Sequence, residues 1–286
     1  MRQMIATDQN ALRQKEAYIL VLTGLAVLFL ARNTGLGSFD LMSMRSTNID
    51  VITFGVAGVA AWRIFQSTQN TTASTATLVW AIALSALIVC FSFVPSSVGL
   101  GAGFGLLGLL IIRTNAGDQN LKAAAICLFA IASHLTLAPI FFRVFLEPIL
   151  AIDKYLLGNV FSALRPDILW TNARFTTPDG FGITLVGACS SFAGISVAIT
   201  VHIGWAMRVR TFLTALDAVA ICATAVLATL INITRLVLTG WSQPFYDFWH
   251  GIDASAPGIM IAWTLQTSAI LLGGYISAYW AGRLNR

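Results

Sequence analysis

The sequence is short of charge. Of its 286 residues only 10% are Asp, Glu, Lys or Arg, against roughly 25% in ordinary globular domains. A soluble α/β enzyme would need more charge to coat its surface, and that class is excluded. A disordered chain is excluded by the opposite excess, because 57% of the residues are hydrophobic. Segments of alternating hydrophobicity are missing too: the apolar runs are continuous, which excludes a membrane β-barrel. Cysteine is scarce, with four residues that form neither a C-x-x-C pair nor a metal-ligand spacing. Internal repeats and low-complexity linkers are absent. What is left is an all-α polytopic membrane protein, with a mean hydropathy of +0.79. Its net charge of +5 reads as basic residues retained on the cytoplasmic side, not as a nucleic-acid surface.

A membrane-crossing helix needs about 20 apolar residues. Eight candidates meet or approach this: Ala17–Ala31, Val51–Phe65, Thr75–Phe93, Val98–Ile112, Leu121–Phe141, Ser190–Met207, Phe212–Leu236 and Pro257–Tyr279. The first could instead be a signal peptide, since Arg13 and Lys15 precede it, but Phe29-Leu30-Ala31 lacks the small-x-small cleavage pattern. With the N-terminus inside, ten basic residues fall inside and seven outside, four of the seven in one long segment. The positive-inside rule then predicts N-in, C-in topology in the plasma membrane. Residues 1–16 form a cytoplasmic segment, and 17–286 form one membrane domain. Within it, 142–188 is expected on the outer face and 189–258 holds the residues with chemical potential.

The outer segment has its own pattern. Leu146–Leu164 repeats apolar residues at helical spacing, interrupted by Asp153, Lys154 and Asn159, and predicts an amphipathic helix lying in the interface. Asp167–Phe175 and Phe181–Val186 flank Pro178-Asp179-Gly180, a turn signal that predicts a small β-hairpin. The hairpin runs straight into Cys189.

Ionisable residues within spans are candidates for function. Asn232 and Arg235 share one face of the seventh span at i, i+3 spacing; alone, Arg235 reads as snorkelling to the headgroups. Asp217 reads as a capping or interfacial residue, Arg63 as a snorkelling one, His134 as a structural hydrogen-bonding residue and His202 as interfacial. His250 follows the belt of Trp241, Phe245, Tyr246, Phe248 and Trp249, which fixes it at the outer surface. Cys127 and Cys222 read as small apolar residues. Cys189 is either half of a disulfide with Cys90 or a nucleophile at the N-terminal tip of the sixth span, where the helix start and a nearby arginine favour thiolate. A cysteine nucleophile needs a base and an oxyanion donor, and His250 and Arg235 suit those jobs.

Gly187-Ala188-Cys189-Ser190-Ser191-Phe192, then Asn232-Ile233-Thr234-Arg235, then His250 resembles the exosortase/archaeosortase family of membrane transpeptidases, over roughly Ala151–Gly258. The resemblance implies a Cys189–Arg235–His250 site on the outer face, with Asn232 and Ser190 contacting substrate and no metal or organic cofactor. It implies cleavage of the C-terminal sorting tail of secreted proteins through a thioester, and transfer to an acceptor glycan or lipid or to water. The partners implied are that tail, the acceptor and membrane lipids, with no nucleic acid. The family commonly has Gly two residues after the cysteine, where this chain has Ser191, and His250-Gly251-Ile252-Asp253 is not its usual neighbourhood.

Two other classes compete. A transporter of an anionic small molecule or lipid would use Arg235 and His250 for binding, with Gly99, Gly101, Gly103, Gly105 and Gly108 breaking the fourth span; the same glycines serve close helix packing equally well. A non-catalytic assembly or export scaffold is the third. A serine intramembrane protease lacks its G-x-S-G motif.

Overall fold

The computed structural model describes residues 16–26, 44–67, 79, 83, 86, 87, 97–114, 117–171, 174–250, 264, 268, 272–276, 279, 280 and 283. The chain is mostly helical. Among the described residues, three helical segments are long and apolar enough to cross a membrane: Gln119–Val144, Phe192–Val209 and Ala215–Gly240. They coincide with the fifth, sixth and seventh expected spans. Glu16–Ala26, Ile52–Gln66 and Val98–Thr114 are apolar but shorter. The spans expected over Thr75–Phe93 and Pro257–Tyr279 lie mostly outside the described residues. Among the described residues, three long apolar helices and three shorter ones therefore stand at six of the eight expected spans.

In chain order the helices with defined ends among the described residues are α1 (Glu16–Ala26), α2 (Met44–Gln66), α3 (Ser97–Thr114), α4 (Gln119–Ala132), α5 (Ala138–Val144), α6 (Leu146–Leu164), α7 (Phe192–Val209), α8 (Ala215–Gly240) and α9 (Gln243–His250). A π-helical turn over Ser133–Leu137 joins α4 to α5. Pro139 accounts for it: proline has no N–H to give Leu135, and its ring crowds that carbonyl, so the coil widens and Ala138 N–H bonds Ser133 O instead.

The main core is built from α1 to α4 with Ala206 and Met207 of α7. The glycines of α3 lie in an unbroken helix. A Cβ on Gly105 would stand 3.2 Å from Ala132 Cβ, and one on Gly108 would stand 3.2 Å from Ala125 O. These residues let α3 approach α4 closely, which favours the packing reading of the stripe over the broken-helix one.

The second core lies around Cys189. Leu157 and Phe161 of α6 meet Phe175, Ile168 and Leu185, with Ile233, Leu236 and Val237 of α8. The segment expected to lie in the interface is a helix with the expected bounds, Leu146–Leu164. The expected two-stranded hairpin is instead a three-stranded antiparallel sheet in the order β1 (Leu169–Thr171), β2 (Arg174–Thr176) and β3 (Gly182–Thr184). Thr171 pairs with Arg174 across the first junction. The Pro178-Asp179-Gly180 turn closes the second, where Gly180 takes φ 86° and Thr177 N–H bonds Phe181 O.

Candidate active site

From β3 the chain passes Leu185 and Val186 into a 3-10 turn, Gly187–Cys189. Cys189 N–H bonds Val186 O at 2.8 Å, and Ser190 N–H bonds Gly187 O at 3.1 Å. Ser190 then swings to an extended ψ of 144°, and α7 starts at Phe192. Cys189, expected at the N-terminal tip of the sixth span, therefore stands in the turn that leads into the helix, which begins at Phe192 and not at Ser190. It is half-buried and a free thiol. Cys90, the disulfide partner weighed for it, lies outside the described residues.

The first N–H groups at the start of α7 are answered by side-chain oxygen atoms, not by the Cys189 sulfur. Phe192 N–H donates to Ser190 Oγ at 3.2 Å. Ser191 N–H donates to Asp153 Oδ2 at 3.1 Å, and Ser191 Oγ–H donates to Asp153 Oδ1 at 2.7 Å. Asp153 comes from α6 and is only 3% exposed. A carboxylate at a helix N-terminus is electrostatically favoured, and Asp153 supplies the one that meets this helix start.

Asn232 of α8 reaches the same turn. Its Nδ2 donates to Cys189 O at 2.8 Å and to Ser191 Oγ at 3.1 Å. The two motifs, 43 residues apart, thus meet directly. Arg235 lies one turn further along α8 and is half-buried; its neighbours Ile233, Leu236 and Val237 belong to the apolar cluster on which Cys189 packs. His250 is the last residue of α9, and its imidazole lies outside the described residues. α9 is tied to the sheet by an edge-on contact of Tyr246 with Phe181, 5.7 Å between centroids.

Two expected substrate contacts have other employment. Asn232 is 2% exposed and its amide donates to Cys189 and Ser191. Ser190 is 6% exposed and its hydroxyl accepts from Phe192 N–H. Both are buried and hold the turn. The residue missed in the sequence is Asp153. It was legible as an interruption of the apolar pattern, but Leu150, Asp153, Leu157 and Phe161 are together the buried stripe of α6, so the carboxylate falls on the stripe itself.

Two hollows adjoin these elements. A polar one of about 430 Å³ lies between β3 and α9, lined by Arg174, Thr184, Gln243 and Tyr246 among others. An apolar groove of about 500 Å³ runs between α4–α5 and α7, from Ile203 up to Phe141 and Phe192. Gly187 faces Phe142 at that end, where a Cβ would stand 3.5 Å from the ring.

The far end of α7 and α8 holds a second polar network. Asp217 forms a capping box with Thr214 and pairs with Arg210 and with His202, whose Nε2 is 3.1 Å away. His202 is fully buried, which corrects its interfacial reading. Arg63 is not a snorkelling residue either: it is 7% exposed and donates to the carbonyls of Met207 (2.6 Å), Arg208 (3.2 Å) and Arg210 (3.0 Å). The long-range hydrogen bonds of a buried guanidinium to the last carbonyls of α7 leave no trace in local sequence. His134 Nδ1 bonds Ser196 Oγ at 2.8 Å. Among the described residues no group of three or more His, Cys, Asp or Glu side chains gathers as a metal site would. No family model, curated protein or solved structure matches this chain.

Proposed function

We propose that the chain is a membrane-embedded cysteine peptidase and transpeptidase acting on a C-terminal sorting tail. The observation that carries this reading is the bond from Asn232 to the carbonyl of Cys189, which joins the cysteine motif and the Asn-x-x-Arg motif at one turn. Cys189 is the nucleophile, Arg235 the oxyanion donor and His250 the acid/base. The thiol loses its proton to the imidazole, sulfur adds to the scissile carbonyl carbon, and the guanidinium donates to the oxygen as it gains charge. The imidazolium returns the proton to the leaving amine and a thioester remains. An acceptor amine or hydroxyl, or water, then attacks the thioester and frees Cys189. Asn232 and Ser190 hold the turn and do not touch the tail.

The two hollows give the tail a seat. The apolar groove suits its hydrophobic span, and the polar hollow between β3 and α9 suits the extended segment ahead of the cleavage site. The segment would then be bracketed by the strand that leads to Cys189 and the helix that ends at His250.

The test is a membrane reporter carrying a C-terminal motif, hydrophobic span and basic cluster taken from the same genome. Cys189→Ala abolishes its processing, a loss of at least about 10³-fold, while expression and insertion are unchanged. Processing at the wild-type rate in that variant would overturn the thiol mechanism and return weight to the transporter of anionic small molecules or lipids.

A further inference from the structure

We infer that Asp153 is a positioning residue for Cys189, acting through Ser191 and Asn232. This rests on the reading of Cys189 as nucleophile, and it gives a role to the serine that stands where relatives of the resembled family commonly have glycine.

The hydrogen bonds have one consistent sense. Ser191 has a single hydroxyl proton, and Asp153 Oδ1 at 2.7 Å takes it, because a carboxylate can only accept. The Ser191 oxygen then has lone pairs alone to offer Asn232, whose Nδ2 donates to it at 3.1 Å. That fixes the Asn232 amide with its other N–H on Cys189 O at 2.8 Å. A second tie runs through the backbone, from Ser191 N–H to Asp153 Oδ2 at 3.1 Å. Asp153, Ser191 and Asn232 are each less than 5% exposed, so none can meet substrate. Three elements, α6, the start of α7 and α8, are thereby pinned to the residues flanking one thiol.

A buried carboxylate is expensive unless its acceptors are filled. Asp153 forms no ion pair with the described residues, and both its oxygens are filled by Ser191. An apolar residue at this point of the α6 stripe would suit the surrounding Leu157 and Phe161 better for packing alone. The carboxylate makes sense as the fixed end of a chain of donors that orients the turn.

The cysteines provide the test without any substrate. In a Cys90→Ala background, the full chain in detergent micelles presents a fully buried Cys127, a half-buried Cys189 and an exposed Cys222. Iodoacetamide capture is followed at each site by mass spectrometry. Asp153→Ala and Ser191→Gly release the turn and raise the capture rate of Cys189 by about fivefold or more, the effect of a small change in local stability. Cys127 stays protected and Cys222 is unchanged. Ser191→Thr, which keeps the hydroxyl, restores the wild-type rate. On the tail reporter the same two variants lower kcat by roughly 10- to 100-fold and leave KM unchanged, as misplacement of a reacting group does.

An unchanged Cys189 rate in Ser191→Gly, with Cys127 protected, overturns the inference. So does failure of Ser191→Thr to restore the rate. If Asp153→Ala exposes Cys127 and has lost its fold, the smaller Ser191→Gly change decides. The capture experiment stands even if no tail is processed, so a failed clamp and a failed peptidase are told apart.

Discussion

The helical hairpin of α7 and α8 buries a carboxylate at each end, and the two are handled in opposite ways. Asp217, 1% exposed, has cationic Arg210 and the His202 ring against it, besides the Thr214 capping box. Asp153, 3% exposed, has among the described residues the N–H and O–H of Ser191 and no cation. The first arrangement is compensated by charge and closes a helix junction. Arg63 reinforces it by holding the carbonyls at the end of α7. The second is compensated by neutral donors that belong to the turn carrying a thiol. A compensated pair locks a fold whatever happens elsewhere, whereas a carboxylate held by the groups it positions ties its own solvation to the geometry of a site.

The largest effect should come from breaking the compensated end. Asp217→Ala strands Arg210 and His202 in the interior, a loss of about 3 kcal/mol or more. Unfolding of the purified protein in detergent, followed by reaction of a fluorogenic thiol dye with Cys127, should show a clearly lower thermal midpoint. A midpoint equal to the wild type would refute the claim that the Asp217 network bears on stability.

Arg63→Met sharpens the contrast. It keeps much of the apolar stem and removes the guanidinium bonds to Asn120 Oδ1 and to the carbonyls of Met207, Arg208 and Arg210. A loss of roughly 2 kcal/mol is expected from hydrogen bonds to a charged group. Iodoacetamide capture of Cys189 should not change in this variant, because the two ends of the hairpin are independent. Faster capture of Cys189 with Cys127 still protected would mean that the ends are coupled and the comparison fails.

The helices that frame the candidate site were legible where a single local signal sufficed. α6 was readable from its apolar spacing and ends at Leu164 just before Arg165-Pro166, and the three long helices follow uninterrupted apolar runs. The turn at Pro178-Asp179-Gly180 was legible because Gly180 needs a positive φ. The split of the preceding run into β1 and β2 was not, since period-two alternation reads the same with or without a short reversal. Cys189 and Asn232 were legible as residue types on motifs, but their contact was not, because it links positions 43 apart through one backbone carbonyl. Asp153 and Arg63 were misread for a shared reason. A charged residue in an apolar stretch looks locally like a break or a snorkelling end, and only its distant partners show it to be a buried hub.

The smallest effect belongs to an exposed pair at the Cys189 end, and it measures how much burial matters. Arg165 donates to both oxygens of Asp167, at 2.8 and 2.6 Å, and its Nη1 reaches Trp241 O at 3.3 Å. The hydrogen bond from Arg165 holds the Asp167 carboxyl below the usual carboxylate range. A depressed folded-state pKa means that the pair stabilises the fold above the unfolded carboxyl value, about 3.9. That contribution is lost as pH falls through the lower folded value. The side chains are 24% and 42% exposed, however, so water and salt screen the attraction. Asp167→Asn should therefore lower the thermal midpoint at pH 7 by about 2 °C at most. The difference should shrink in 1 M salt and vanish on acidification, once the wild-type carboxyl is itself protonated. A drop as large as that of Asp217→Ala would show that exposure does not separate these two pairs, and that the contrast between a buried, compensated carboxylate and a solvated one rests on something other than dielectric screening.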